Sequence, residues 1–198
     1  MLRSVATTVL ALLSLSFGSV LAEEAEEPAP AFRLSSPDLM PGMPIQLAQV
    51  YNSFGCTGGN ISPALSWSNA PADARSFALL VHDPDAPTGS GWWHWVVYNI
   101  PARVNALVGR AGDPAAGLMP IGAVQGNTDF GTAGYGGPCP PPGSKPHRYY
   151  FRLHALKVEK LDLPANATAA FVGFNVNANS LGVAELMAVY SRPAATGE

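Results

Sequence analysis

The chain has 198 residues, 47% hydrophobic and 13% charged, with a formal net charge of -3. That length and apolar content suffice for one domain with a sizeable core. No run of Lys or Arg appears that could track a phosphate backbone, so nucleic acid is excluded as a partner.

Residues 1–22 read as a targeting segment. A positive start (MLR) leads into the apolar, small-residue run VATTVLALLSLSFGSV, and Val20-Leu21-Ala22 has the form of a signal-peptidase site. Ser14, Ser16, Gly18 and Ser19 interrupt the run before it reaches the roughly 20 apolar residues that a membrane span needs. Export to a periplasm or an extracellular space is therefore expected, with no stable membrane span. Residues 23–31, EEAEEPAPA, form an acidic flexible lead that has no apolar surface to bury.

The folded domain is expected over residues 32–192, followed by a tail, 193–198. In an oxidising compartment Cys56 and Cys139 would pair across a loop long enough to stabilise by about 4 kcal/mol. Two buried free thiols are the alternative, because sequence does not give their separation. Asn60 (N-I-S) and Asn166 (N-A-T) match glycosylation acceptors, which matter only in a eukaryotic source.

With 20 Gly and 19 Pro spread along the chain and no internal repeat, short strands joined by ordered turns are predicted. SFALLVHD (76–83) is a nearly continuous apolar run, as for a strand buried on both faces, and Pro84 ends it. WWHWVVYNI (92–100) is a second strand, halted by Pro101. HRYYFRLHAL (147–156) is a third. SLGVAELMAVYSR (180–192) spaces Leu181, Ala184, Met187, Ala188 and Tyr190 as a helix would, with Ser180 as cap and Pro193 beyond its end.

Strand parity sorts the polar residues. His147, Tyr149, Phe151 and Leu153 share one face, and Arg148, Arg152 and His154 the other, which makes His154 a surface residue. Asp83 follows Leu79 and Val81, whereas His82 lies on the opposite face and reads as a satisfied core histidine. Asp83 and Asp85 sit in a turn stiffened by Pro84 and Pro87. His94, inside a Trp-rich strand, needs a polar partner, and these carboxylates could orient it and raise its pKa if the two strands pair. A second centre is GYGGPCPPPGSKPHRYY (134–150). There Gly136 and Gly137 permit close backbone approach, and Pro138, Pro140, Pro141 and Pro142 rigidify a loop that runs into His147. A polyproline recognition segment is the plainer alternative for that loop.

DPDAP (83–87), HWVVYNIP (94–101), GYGGPCPP (134–141), HRYYF (147–151) and the upstream CTGGNISPALSW (56–67) together resemble the phosphatidylethanolamine-binding protein family, in its bacterial Raf kinase inhibitor-like branch. The resemblance runs from about Phe32 to Arg192. It implies a mostly β fold, an antiparallel β-sandwich with a small anion-binding pocket at one end and a C-terminal helix. Carried over by residue, the family's ligand-binding positions correspond to Asp83, Asp85, Pro87, His94, Gly137, Pro140, Pro141, His147 and Tyr149. Tyr190 is a further candidate for the lining. Relatives in this branch often carry Gly-His in the last helix, where this chain has Ala178-Asn179.

The expected function is that of an exported binding protein holding a phosphate-type anion or phosphorylated headgroup in a His/Asp pocket, with modulation of a partner protein as a further role. Inhibition of an extracytoplasmic protease, or another protein interaction, is the alternative. A metal-dependent phosphoester hydrolase is a third reading, since two Asp and two His could ligate a divalent ion. No cofactor or metal is expected, and no obvious nucleophile marks an enzyme. If the first 22 residues are a cleaved signal, amino-terminal sequencing of the exported protein will start at Glu23; retention of residues 1–22 would show an anchor instead.

Overall fold

The computed structural model describes Met1 and residues 30–194. The expected signal segment, most of the acidic lead and residues 195–198 lie outside the described residues. Two antiparallel sheets organise the rest. The smaller has the order β1-β2-β5, from β1 (Arg33–Ser35), β2 (Leu65–Ser68) and β5 (Ala106–Leu107). The larger has the order β6-β4-β3-β7-β8, from β3 (Ser76–Asp83), β4 (Trp92–Pro101), β6 (Val124–Gln125), β7 (His147–Leu156) and β8 (Ser180–Tyr190). One α-helix, α1 (Ala169–Asn179), precedes β8.

The central strand β3 is apolar on consecutive residues because both of its faces are covered. Phe77, Leu79 and Val81 join Trp67, Trp95, Phe151 and Leu153 in the core between the sheets. Ala78 and Leu80 face the other way, against Val172 and Val176 of α1. Fully burying such side chains contributes roughly 1.5–3 kcal/mol each. Strands β3 and β7 have the bounds their composition predicts, and β4 continues one residue further, through Pro101, which pairs with Ser76.

The segment predicted as the terminal helix is instead β8. It pairs with β7 from His147↔Tyr190 to Leu156↔Ser180, and Ala184, Leu186 and Ala188 alternate into the core. Ala184, Ala188 and Tyr190 of the helical set also fit a two-residue period, which Leu186 completes and Leu181 and Met187 break, so spacing alone does not decide. The helix lies just upstream, where Thr168 caps it by accepting from the Phe171 N–H at 3.2 Å. Its second half, Asn175 to Asn179, has poor helix formers. Two of these bond back within the helix, Asn175 to the Phe171 carbonyl and Asn179 to the Asn175 carbonyl, while Val172 and Val176 anchor it to the sheet.

This covering helix also corrects His154, which is 5% exposed rather than on the surface; its Nδ1 lies 3.3 Å from the Ser180 hydroxyl. His82 is half-buried rather than a core residue. It is satisfied by the Ser90 carbonyl at 2.9 Å and stacks against Trp93 with ring centroids 4.2 Å apart.

Cys56 and Cys139 are joined in a disulfide across 83 positions of sequence. A loop of that size makes the bond worth about 4 kcal/mol in the chain-entropy treatment. Reduction is therefore expected to lower the urea midpoint by a corresponding amount, and an unchanged midpoint in dithiothreitol would show that the bond does not constrain the unfolded chain.

Candidate functional site

The site forms where β3 and β4 end and β7 begins. Asp83, the last residue of β3, is 2% exposed and uses both carboxylate oxygens. Oδ1 accepts from the backbone N–H of Asp85 (2.8 Å) and Ala86 (3.1 Å), fixing the DPDAP turn. Oδ2 accepts from Nδ1 of His147 at 2.7 Å. A buried carboxylate is tolerable only with partners of this kind. Because Nδ1 carries the donated proton, Nε2 of His147 is the nitrogen left for a ligand.

His94 is placed by an irregularity. Val81 pairs with Trp95 but His82 pairs with Trp93, so His94 is the extra residue of a β-bulge. Bulges re-aim side chains next to functional sites, and this one turns His94 to the side of the sheet that carries Asp83 and Trp92. Its Nδ1 donates to the Gly136 carbonyl at 2.7 Å, while Gly136 N–H donates to the His94 carbonyl at 2.9 Å. The anticipated carboxylate partner is thus replaced by a backbone one. Burial holds His94 down to about 4, outweighing the Gly136 carbonyl and the Asp83 charge, which act upward. The expectation that a carboxylate raises the His94 pKa is corrected: the imidazole is neutral at pH 7.

A cavity of about 200 Å³ lies between these groups, lined by Asp83, Pro87, Trp92, His94, Pro140, Pro141, His147 and Tyr149, with Phe54 and Phe130 also in its wall. Phe130 makes edge contacts with Trp92 and His94, each at 5.4 Å between centroids, and His94 meets Tyr149 at 5.1 Å. Three buried polar atoms on its lining residues have no partner among the described residues: Trp92 Nε1, His94 Nε2 and Tyr149 Oη. Burial, then the Asp83 charge, pushes the Tyr149 phenol up, so it stays protonated and able to donate.

Three of the expected site residues do not line this cavity. Asp85 turns outward and is held by Arg148, whose Nε and terminal NH2 nitrogen donate to it at 2.8 and 2.7 Å and whose backbone N–H donates at 2.9 Å. That pairing lowers Asp85 to about 2. Gly137 stands behind the wall, where a Cβ would come within 2.1 Å of the Gln49 carbonyl oxygen, and its N–H donates to Asn60 Oδ1. Tyr190 pairs with His147 in the sheet but stays outside the cavity. Trp92, Phe54 and Phe130 were not anticipated. Trp92 had a signal, its two-residue offset from His94, whereas nothing local marks the loop aromatics.

Among the described residues no group of three or more His, Cys, Asp and Glu side chains is gathered as a metal ion would need. The two-Asp, two-His ligand set does not converge, because Asp85 is committed to Arg148. No helix among the described residues is long and apolar enough to cross a membrane.

The family model described as phosphatidylethanolamine-binding protein matches residues 35–191. The chain is 51% identical over 162 residues to the Escherichia coli K12 protein YbcL, covering 82% of this chain and 88% of that one. The crystal structure of E. coli YbcL, described as a new member of the mammalian PEBP family, superposes with a TM-score of 0.79 at 50% identity, covering 81% of this chain and 98% of that one. A Mycobacterium tuberculosis H37Rv protein named putative lipoprotein LppC is 36% identical over 170 residues, covering 84% of this chain and 77% of that one.

Burial lowers both His94 and His154 to about 4, with Arg152 adding to the effect at His154. For a depressed histidine the unfolded chain binds more protons between the folded and unfolded pKa values, so stability is full above about 6.5 and falls as pH drops toward 4. Each group adds a slope of up to roughly 1.4 kcal/mol per pH unit in that window. Chemical denaturation from pH 7.5 to 4 is expected to show this decline, with His154→Gln removing about half of it; a pH-independent midpoint would contradict the burial of both rings.

Proposed function

The chain belongs to the phosphatidylethanolamine-binding protein family, and we propose that it acts as an exported binding protein that holds a small phosphate-type anion or phosphorylated headgroup in the Asp83–His147 cavity. The observation that carries this reading is the set of three partnerless polar atoms, Trp92 Nε1, His94 Nε2 and Tyr149 Oη, on one small cavity. Leaving a buried donor or acceptor unpaired costs about 1–3 kcal/mol, so three around one space are most simply accounted for by a ligand that completes them.

The indole N–H and phenol O–H donate to anionic oxygens. His94 cannot donate from Nε2 while neutral, because Nδ1 holds its proton against Gly136. It therefore accepts from the P–OH of a phosphate monoanion, or takes up a proton when a dianion enters. Both routes favour binding as pH falls through the second phosphate pKa, near 6. His147 is positioned by Asp83 to present Nε2 to the same ligand, and the prolines form a wall that costs little entropy to order.

Binding rather than turnover is the activity this cavity suits. The Thr88 hydroxyl, which lines it, donates to the Gly91 carbonyl, and the Cys139 sulfur is in the disulfide, so neither is a free nucleophile. Export is supported by the form of residues 1–22, by the disulfide, and by the similarity to a protein named as a lipoprotein.

Tyr149→Phe and Trp92→Phe remove a partnerless polar atom while keeping a ring. Each is expected to leave thermal stability equal or higher and to weaken phosphate or phosphoethanolamine binding about tenfold, as read by calorimetry. Wild-type affinity is expected to rise from pH 8 to 5.5 with net proton uptake, seen as a buffer-dependent enthalpy. Unchanged affinity in both variants, or no binding across the series, would reject the assignment.

A further inference from the structure

A second cavity, of about 430 Å³, adjoins the first and shares Pro87, Pro141 and His147 with it. The loop between the proline wall and His147 supplies its two remaining functional groups, Ser144 and Lys145. The Ser144 hydroxyl oxygen is buried and has no hydrogen-bond partner among the described residues. Lys145 is exposed and pairs with no carboxylate among the described residues. Asp85 and Arg148 also border this space, but they neutralise one another through two side-chain hydrogen bonds. The field of the second cavity is therefore that of one uncompensated cation beside an unsatisfied hydroxyl.

The loop is held for that role. Pro140, Pro141, Pro142 and Pro146 restrict it on both sides of the turn. Gly143 takes the left-handed conformation at φ 73°, and the turn is closed by Ser144 N–H to the Pro141 carbonyl at 3.2 Å. Gly143 N–H also donates to the Arg192 carbonyl at 3.1 Å, tying the turn to the segment that follows β8. A cation on a pre-ordered turn needs little further ordering to bind.

We propose that the two cavities form one bipartite site, in which Ser144 and Lys145 bind a second acidic group, so that the ligand is a phosphorylated molecule bearing a carboxylate on a short spacer. This rests on the phosphate reading of the inner cavity. It adds that a ligand with only a cationic or neutral substituent fills half of the site. This chemistry is that of free O-phosphoserine; a phosphatidylserine headgroup carries the same carboxylate on a phosphodiester, which has no P–OH to offer His94.

O-phospho-L-serine and phosphoethanolamine differ by one carboxylate, and calorimetry on the purified protein compares them directly. O-phospho-L-serine is expected to bind about tenfold tighter, with the preference shrinking as salt is raised. Lys145→Gln, an exposed substitution that spares the fold, is expected to bring the two affinities within about twofold. Lys157→Gln, at the opposite end of β7, is expected to keep the preference. Equal wild-type affinities, or a preference that survives Lys145→Gln, would overturn the bipartite site while leaving the inner-cavity reading intact; failure of both compounds to bind would overturn both. If the preference holds, no co-sedimentation with phosphatidylserine–phosphatidylcholine vesicles is expected, because the diester has no P–OH; Lys145-dependent co-sedimentation would overturn the P–OH contact at His94 and assign the lipid source instead.

Discussion

The Asp83 carboxylate is the constraint on which the rest of the site depends. It is buried, and its two oxygens take three hydrogen bonds from two separate parts of the chain: the turn at Asp85 and Ala86 through Oδ1, and the first residue of β7 through Oδ2. Removing one partner from a buried, hydrogen-bonded carboxylate leaves its charge less compensated and costs more than the bond itself contributes. The turn, the strand start and the His147 ring are thus fixed together. The neighbouring Asp85–Arg148 fork repeats the connection on the solvent side, so the end of β3 is held to β7 from within and from without.

Against that fixed corner, the β-bulge at His94 supplies the second imidazole. The two rings are held by different partners. His147 faces a carboxylate, whereas His94 faces a backbone carbonyl and aromatic edges, where burial favours the neutral form. In the proposed reading, a neutral acceptor beside an indole and a phenol donor favours a singly protonated phosphate. A carboxylate or sulfate brings no proton near neutral pH, and His94 would have to take one up at Nε2 to hold it.

Much of this was legible in the sequence where local chemistry decides. The strands 76–83 and 147–156 followed from an apolar run ended by Pro84 and from an aromatic-rich run. Parity grouped Asp83 with Leu79 and Val81 in one and His147 with Tyr149 in the other, and only the pairing of the strands brings the two faces together. Parity failed where the ladder is irregular or where a distant element intervenes. The bulge at His94 is a property of pairing between strands, so no pattern within β4 announces it. His154 is polar on an outward-facing position, and only the packing of α1, whose asparagines obscure its helical character, buries it. Within residues 180–190, Ala184, Ala188 and Tyr190 satisfied a helical and a strand period at once, and pairing with β7 along the segment's full length decided between them. Gly137 was rightly singled out as a position that only glycine fits, but the backbone it approaches is that of Gln49 to Tyr51, not a ligand.

The cavity keeps polar atoms that folding alone would remove, and the surrounding wall explains how that is sustained. Apolar collapse onto Trp92, His94 and Tyr149 would satisfy packing at the expense of the open space. Three features oppose it. The Cys56–Cys139 bond fixes the proline wall to the 53–56 loop. The Arg192 guanidinium bridges the same two segments, donating to the carbonyls of Phe54 (3.4 Å), Gly55 (2.7 Å) and Pro140 (3.3 Å). Phe130, stacked on Phe54 and packed on Tyr51, props the opposite side. The disulfide and the Arg192 bridge act from behind the wall, whereas Phe130 sets its ring against Trp92 and His94 themselves. The division follows from what a binding site requires: groups left unsatisfied until the ligand arrives, inside a frame too rigid to satisfy them in its absence.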